Sequence, residues 1–144
     1  MASKPIFFLS SQSHFSGAQT WIKAGYWYAN GEFPIQYINS ALFTHLSFAF
    51  AEVNASNYQL SIPSSSEQYL STFATIVKRR NPSVKTLLSV WNGISATGKS
   101  ISGEKVNDSI LSSMVSSSST RKSFIDSSMK ADYAFHGIDL LGLA

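Results

Sequence analysis

Cysteine is absent from the 144 residues. That removes disulfides, thiol nucleophiles and thiolate metal sites, and it leaves the redox compartment unmarked. Histidine is scarce as well. His14, His45 and His136 stand far apart in the sequence, with no Glu or His at ligand spacing beside any of them, which argues against a zinc or iron centre. No metal and no cofactor are expected. Charge is thin: 13% of residues are charged, 11 Lys and Arg against 8 Asp and Glu, for a net +3. These cations form no dense stripe, so nucleic acid is not an expected partner. The one tight basic run, Lys78-Arg79-Arg80, falls at the end of a predicted helix, where cations complement the carbonyl end of the macrodipole. No stretch approaches the ~20 consecutive apolar residues of a spanning helix, so no membrane partner is expected.

What is present is apolar. Hydrophobic residues make up 44% of the chain and aromatics 13%, enough to bury the core of one domain. Residues 1–20 read as a leader. Met1-Ala2-Ser3-Lys4 and Pro5-Ile6-Phe7-Phe8-Leu9 look like the opening of a secretory signal, but the apolar run stops at Ser10-Ser11-Gln12-Ser13, short of the about 7 to 15 apolar residues a working signal needs. The leader is therefore read as a degraded signal ahead of a domain over residues 21–144. Two triplets, Asn54-Ala55-Ser56 and Asn107-Asp108-Ser109, would accept a glycan if the chain entered the secretory pathway.

Beyond residue 21, strand-like and helix-like segments alternate, which implies one α/β unit. Residues 22–28 are apolar and aromatic and predict a first strand, closed by Ala29-Asn30-Gly31. A short helix is expected over 35–42. Residues 43–51 are almost continuously apolar, as in a parallel strand covered on both faces. Ser64 and Glu67 have capping-box spacing, and Tyr69, Leu70, Phe73, Ile76 and Val77 then recur at helical intervals up to Arg80. Asn81-Pro82 stops that helix. A third strand is expected over 84–90, followed by a Gly- and Ser-rich stretch over 92–105. Helices are expected over 108–116 and 120–133, the latter turning Phe124, Ile125 and Met129 inward, and a fourth strand over 135–140. The order favours parallel neighbours.

Several of these segments together resemble glycoside hydrolase family 18, and within it the plant class V chitinases. The likeness rests on Lys23-Ala24-Gly25-Tyr26-Trp27, on Ile38 to Leu46, on Phe48-Ala49-Phe50-Ala51, on Lys78 to Ser89, on Ser112-Ser113-Met114-Val115, on Arg121 to Ser128, and on Phe135-His136-Gly137-Ile138-Asp139-Leu140. The last resembles the start of the family's Asp-Gly-x-Asp-x-Asp-x-Glu signature. The resemblance implies a TIM (β/α)8 barrel of about 250 residues or more, active at the C-terminal ends of its strands. The chain is thus expected to be α/β, a partial barrel of about the first four strands with their helices, interrupted within the signature. Open barrel edges predict self-association.

The family cleaves links between N-acetylglucosamine units by a substrate-assisted route. In the resemblance, the glutamate of the signature protonates the leaving oxygen, the aspartate before it orients the acetamido group, and a further aspartate supports that one. Asp139 matches the supporting aspartate, whereas Leu141 and Leu143 stand in the orienting and acid positions. Losing a general acid lowers rate by about 10² to 10⁴, so the chain is expected to be inactive by itself. A lone inward Asp139 is expected to weaken its strand unless hydrogen-bonded. Tyr26, Phe50 and Trp91 are the candidate substrate-binding residues, weighed against plain core packing; Trp91 stands where the family has a glycine, in Ser89-Val90-Trp91-Asn92-Gly93. Phe48 and His45 are read as core, and His136 receives no catalytic role. The implied partner is chitin or an N-acetylglucosamine oligosaccharide, and the family's compartment is extracellular or vacuolar. Three readings stay open: a chitinase-like hydrolase, a non-catalytic lectin-like binder of chitin oligosaccharides, and a truncated product without function of its own.

Overall fold

The computed structural model describes residues 21–30, 32–91, 109–131 and 133–141. The Gly- and Ser-rich stretch over 92–105, the leader, His14 and Leu143 lie outside the described residues. Four parallel strands form the sheet: β1 (Ala24–Tyr28), β2 (His45–Val53), β4 (Lys85–Val90) and β5 (Gly137–Leu140), in the order β1-β2-β4-β5. A two-residue strand, β3 (Leu60–Ser61), pairs antiparallel with the end of β2, Glu52 opposite Ser61 and Val53 opposite Leu60. The sequence pattern predicts no element there, because two residues carry too little periodicity to register.

Alternation divides the sheet into two faces. Pairing aligns Tyr26 with Ser47, Trp27 with Phe48, Ser47 with Leu87, Phe48 with Leu88 and Ser89 with Asp139. Trp27, Phe48, Leu88 and Val90 are buried on one face. That face receives α1 (Ser64–Arg80), whose buried Leu70, Phe73, Ala74 and Val77 follow the helical repeat. The aromatic core is continuous: Phe48 lies 5.6 Å from Trp27, 5.5 Å from Phe73 and 6.1 Å from Phe135 between ring centroids. Phe48 is fully buried, as the core reading requires.

The start of α1 differs from expectation. Ser64 is the first helical residue, Pro63 precedes it with φ −57° and ψ 134°, and no side chain caps the end. Proline's fixed φ suits the entry, so the Ser64–Glu67 box is not formed; the Ser66 amide donates instead to the Pro63 carbonyl at 2.8 Å. The far end behaves as predicted, with Lys78, Arg79 and Arg80 in the last turn and Asn81 as its cap. The Asn81 amide then donates to the carbonyls of Ser40 and Phe43, both at 3.0 Å, pinning the helix end to the segment ahead of β2. That segment forms two 3-10 turns, Ile35–Tyr37 and Ser40–Leu42, where one short helix was expected.

Two further helices follow, α2 (Ser109–Ser116) and α3 (Ser118–Lys130). The Ser117 hydroxyl accepts the Thr120 amide at 3.2 Å and so starts α3 two residues early. Phe124 is buried, but Ile125 and Met129 are 55% and 81% exposed, contrary to the inward face expected of all three. Neighbours on a helix sit about 100° apart. With Phe124 aimed at the core, Ile125 is swung outward, and Met129, one turn on, follows it.

Candidate functional site

The opposite face of the sheet carries Tyr26 and Tyr28 from β1, Ser47 and Ala49 from β2, Leu87 and Ser89 from β4, and Asp139 from β5. Oδ2 of Asp139 accepts two hydrogen bonds, one from the Ser89 hydroxyl at 2.7 Å and one from the Tyr26 phenol at 2.9 Å. Ser89 is fully buried and adjoins Asp139 in register. Tyr26 is on the far edge strand. A flat sheet of this order would set β1 and β5 about 14 Å apart; the contact is made because the sheet curls, turning this face into its concave side. The lone carboxyl is thus supplied with partners, and none of the buried polar side-chain atoms among the described residues lacks one.

Burial, then the hydrogen bond to Asp139 and the negative charge of that residue, push the Tyr26 phenol up to about 12. It therefore remains a protonated donor throughout the physiological range. A carboxyl held between two hydroxyl donors on one oxygen is oriented rather than mobile.

Above this polar floor lies an aromatic group. Between Ala49 and Ala51 the register with β4 shifts by one residue, and Phe50 falls out of the alternation, as residues at a bulge do. Its ring lies 6.4 Å from Tyr26, 5.5 Å from Tyr28 and 5.1 Å from Trp91. Trp91, just past β4, is anchored by its amide donating to the Ala51 carbonyl at 2.9 Å. All four residues singled out from sequence, Tyr26, Phe50, Trp91 and Asp139, accordingly converge at the C-terminal end of the sheet. Phe50 is buried in the middle of the group, while Tyr28 is 52% exposed. Ser89 and Tyr28 were not singled out as site residues. Ser89 had one available signal, a hydroxyl between Leu88 and Val90 in the apolar second half of its strand. Leu141 follows Asp139 at strand spacing and is tied by its amide to the Val90 carbonyl at 3.0 Å.

The other sequence-marked residues sit elsewhere. His45 is partly buried and its Nδ1 lies 2.9 Å from the Thr44 hydroxyl. His136 Nδ1 accepts the Thr86 amide at 3.1 Å; desolvation and then the charges of Lys78 and Lys85 lower its pKa. An open cleft of about 340 Å³, lined by Trp21, Phe43, His45, Asn81 and Lys85 among others, lies at the N-terminal ends of β2 and β4. It is at the wrong end of the strands to belong with Asp139. Among the described residues, no group of three His, Asp or Glu could hold a metal ion, and no helix is long and apolar enough to cross a membrane.

The family model of glycosyl hydrolases family 18 matches residues 22–141. A class V chitinase of Arabidopsis thaliana is 46% identical over 136 residues, 93% of this chain and 32% of that protein. Among solved structures, a chitinase-like agglutinin from Robinia pseudoacacia aligns with a TM-score of 0.68 and 39% identity, covering 81% of this chain and 33% of that one. A mutant class V chitinase from Nicotiana tobaccum in complex with NAG4 aligns with a TM-score of 0.67 and 37% identity, over 81% and 31%. The chain spans about a third of the length of these relatives. Its parallel sheet and helices correspond to that third of their barrel, in agreement with the partial-barrel expectation.

Proposed function

The chain belongs to glycosyl hydrolases family 18, and on that premise we propose that it is a chitinase-like protein that holds N-acetylglucosamine oligosaccharides without hydrolysing them. The observation carrying this reading is the convergence of Tyr26, Phe50 and Trp91 above the Asp139 carboxyl at the C-terminal end of one curved sheet. Aromatic faces beside fixed hydrogen-bonding groups are the usual means of gripping a pyranose ring, which has an apolar face and a polar rim. Trp91 and the exposed Tyr28 supply the stacking surface in this proposal. Phe50, packed between them, holds their rings in place.

The chemistry of hydrolysis is what the site lacks. Leu141 and Leu143 occupy the positions that the family signature gives to the orienting aspartate and the proton donor, and a leucine can neither position an acetamido group nor protonate a leaving oxygen. The binding class is favoured by the structural likeness to an agglutinin, and the ligand class by the likeness to a chitinase that holds NAG4.

Calorimetric titration of the purified chain with chitotetraose tests the proposal. Saturable heat without released sugar is expected, and Trp91→Ala should weaken binding roughly tenfold, the equivalent of ~1.4 kcal/mol. Release of chitobiose that disappears in Asp139→Asn would make the chain a hydrolase instead. Absence of any heat would leave no binding function to claim.

A further inference from the structure

The triplet Asn54-Ala55-Ser56 lies where β2 turns into β3, immediately after Val53, the last paired residue of β2. All three residues are exposed. The turn is closed by the Tyr58 amide donating to the Asn54 carbonyl at 2.8 Å and by the Asn54 amide donating to the Gln59 carbonyl at 2.9 Å. The Asn54 side chain is ordered within it: Oδ1 accepts the Ser56 amide at 2.8 Å, an Asx turn. That leaves the carboxamide nitrogen, Nδ2, without a hydrogen-bond partner among the described residues, pointing no demand at the sheet ladder.

The turn is also held from behind. The Ser123 hydroxyl of α3 donates to the Asn57 carbonyl at 2.7 Å, and the Ser127 hydroxyl accepts the Leu60 amide at 2.8 Å. Every backbone bond that fixes the hairpin is therefore independent of Asn54 Nδ2, and a large substituent on that atom disturbs none of them. The other triplet begins at Asn107, outside the described residues.

We propose that Asn54 is an acceptor for asparagine-linked glycosylation whenever the chain meets the transferase of the secretory pathway. Nδ2 attacks the anomeric carbon of an oligosaccharide carried on a lipid pyrophosphate; the new C–N bond forms as the bond from that carbon to the phosphate oxygen breaks. The lipid pyrophosphate departs with the bonding pair, and one amide proton passes to the transferase's base. No redox change is involved. The hydroxyl of Ser56 is the second element of the acceptor triplet.

The test uses the full chain, incubated with an oligosaccharyltransferase and a lipid-linked oligosaccharide, and read by intact mass. The Asn107→Gln variant is expected to gain the mass of one glycan, to lose it to a peptide-N-glycosidase, and to keep its circular dichroism spectrum once modified. The Asn54→Gln/Asn107→Gln and Ser56→Ala/Asn107→Gln variants are expected to gain none. The proposal is overturned if Asn107→Gln stays unmodified, if either double variant is still modified, or if the glycan unfolds the protein.

Discussion

The phenol of Tyr26 and the carboxyl of Asp139 meet at 2.9 Å across the full width of the parallel sheet, from one edge strand to the other. The bond closes a contact between residues 113 positions apart, and it gives a partly buried carboxyl one of its two hydroxyl donors. Removing it is predicted to be felt in stability. Tyr26→Phe keeps the ring and deletes one donor, and should lower the unfolding free energy by about 1–2 kcal/mol. Urea denaturation monitored by circular dichroism measures it; an unchanged midpoint would mean that Ser89 alone satisfies Asp139.

The same phenol gives the protein a pH dependence at the alkaline end. A tyrosine held near 12 in the folded chain, against about 10 when unfolded, binds its proton more tightly in the native state. Its contribution is therefore complete below about pH 10 and is lost as pH rises toward 12. Compared with Tyr26→Phe, the unsubstituted chain should lose more stability across that window. Spectroscopic titration of phenolate should show one tyrosine ionising last, and that late step should vanish in Tyr26→Phe.

Phe48 is fully buried between Trp27, Phe73 and Phe135. Phe48→Ala should cost about 3–5 kcal/mol through lost burial and the cavity left behind. Thermal unfolding at fixed pH reads this directly, and a loss below ~1 kcal/mol would show that the aromatic core collapses around the gap.

Gly25 fails for the opposite reason. A Cβ at this position would lie 2.6 Å from Cε1 of the buried Phe43 ring. Gly25→Ala is accordingly predicted to destabilise by about 1–3 kcal/mol through overpacking, and Gly25→Ala combined with Phe43→Leu should recover part of that loss. Failure of the second change to recover anything would place the strain elsewhere.

Among the described residues, β1 and β5 each have a single strand neighbour, and unpaired parallel edges are templates for further pairing. Sedimentation of the isolated chain should show concentration-dependent association. A compact monomer at every concentration, melting cooperatively, would refute this.

Much of the architecture was legible because it is periodic. The 17-residue helix α1 repeats its apolar residues every three to four positions, ends on cations and stops at Asn81-Pro82, so its extent follows from local chemistry. The nearly continuous apolar run of β2 likewise marks a strand covered on both faces. The expected pattern gave way where a single neighbour or packing contact outweighed it. Pro63 set the start of α1 in place of the Ser64 box, the aim of Phe124 put Ile125 and Met129 in solvent, and a two-residue β3 exists only because the end of β2 is there to pair with it.

The sequence by itself determined which side chains are present: a carboxyl at Asp139, leucines at 141 and 143, and aromatics at 26, 50 and 91. Residue identity cannot be altered by folding, so the leucines at 141 and 143 were readable without coordinates. Only the tertiary structure decided that these residues belong together. Curvature of the sheet carries Tyr26 to Asp139, a register shift frees Phe50 from the ladder to sit against Trp91, and Ser89 becomes a partner through its neighbouring strand. Each of these depends on distances between strands far apart in sequence, which no local pattern encodes.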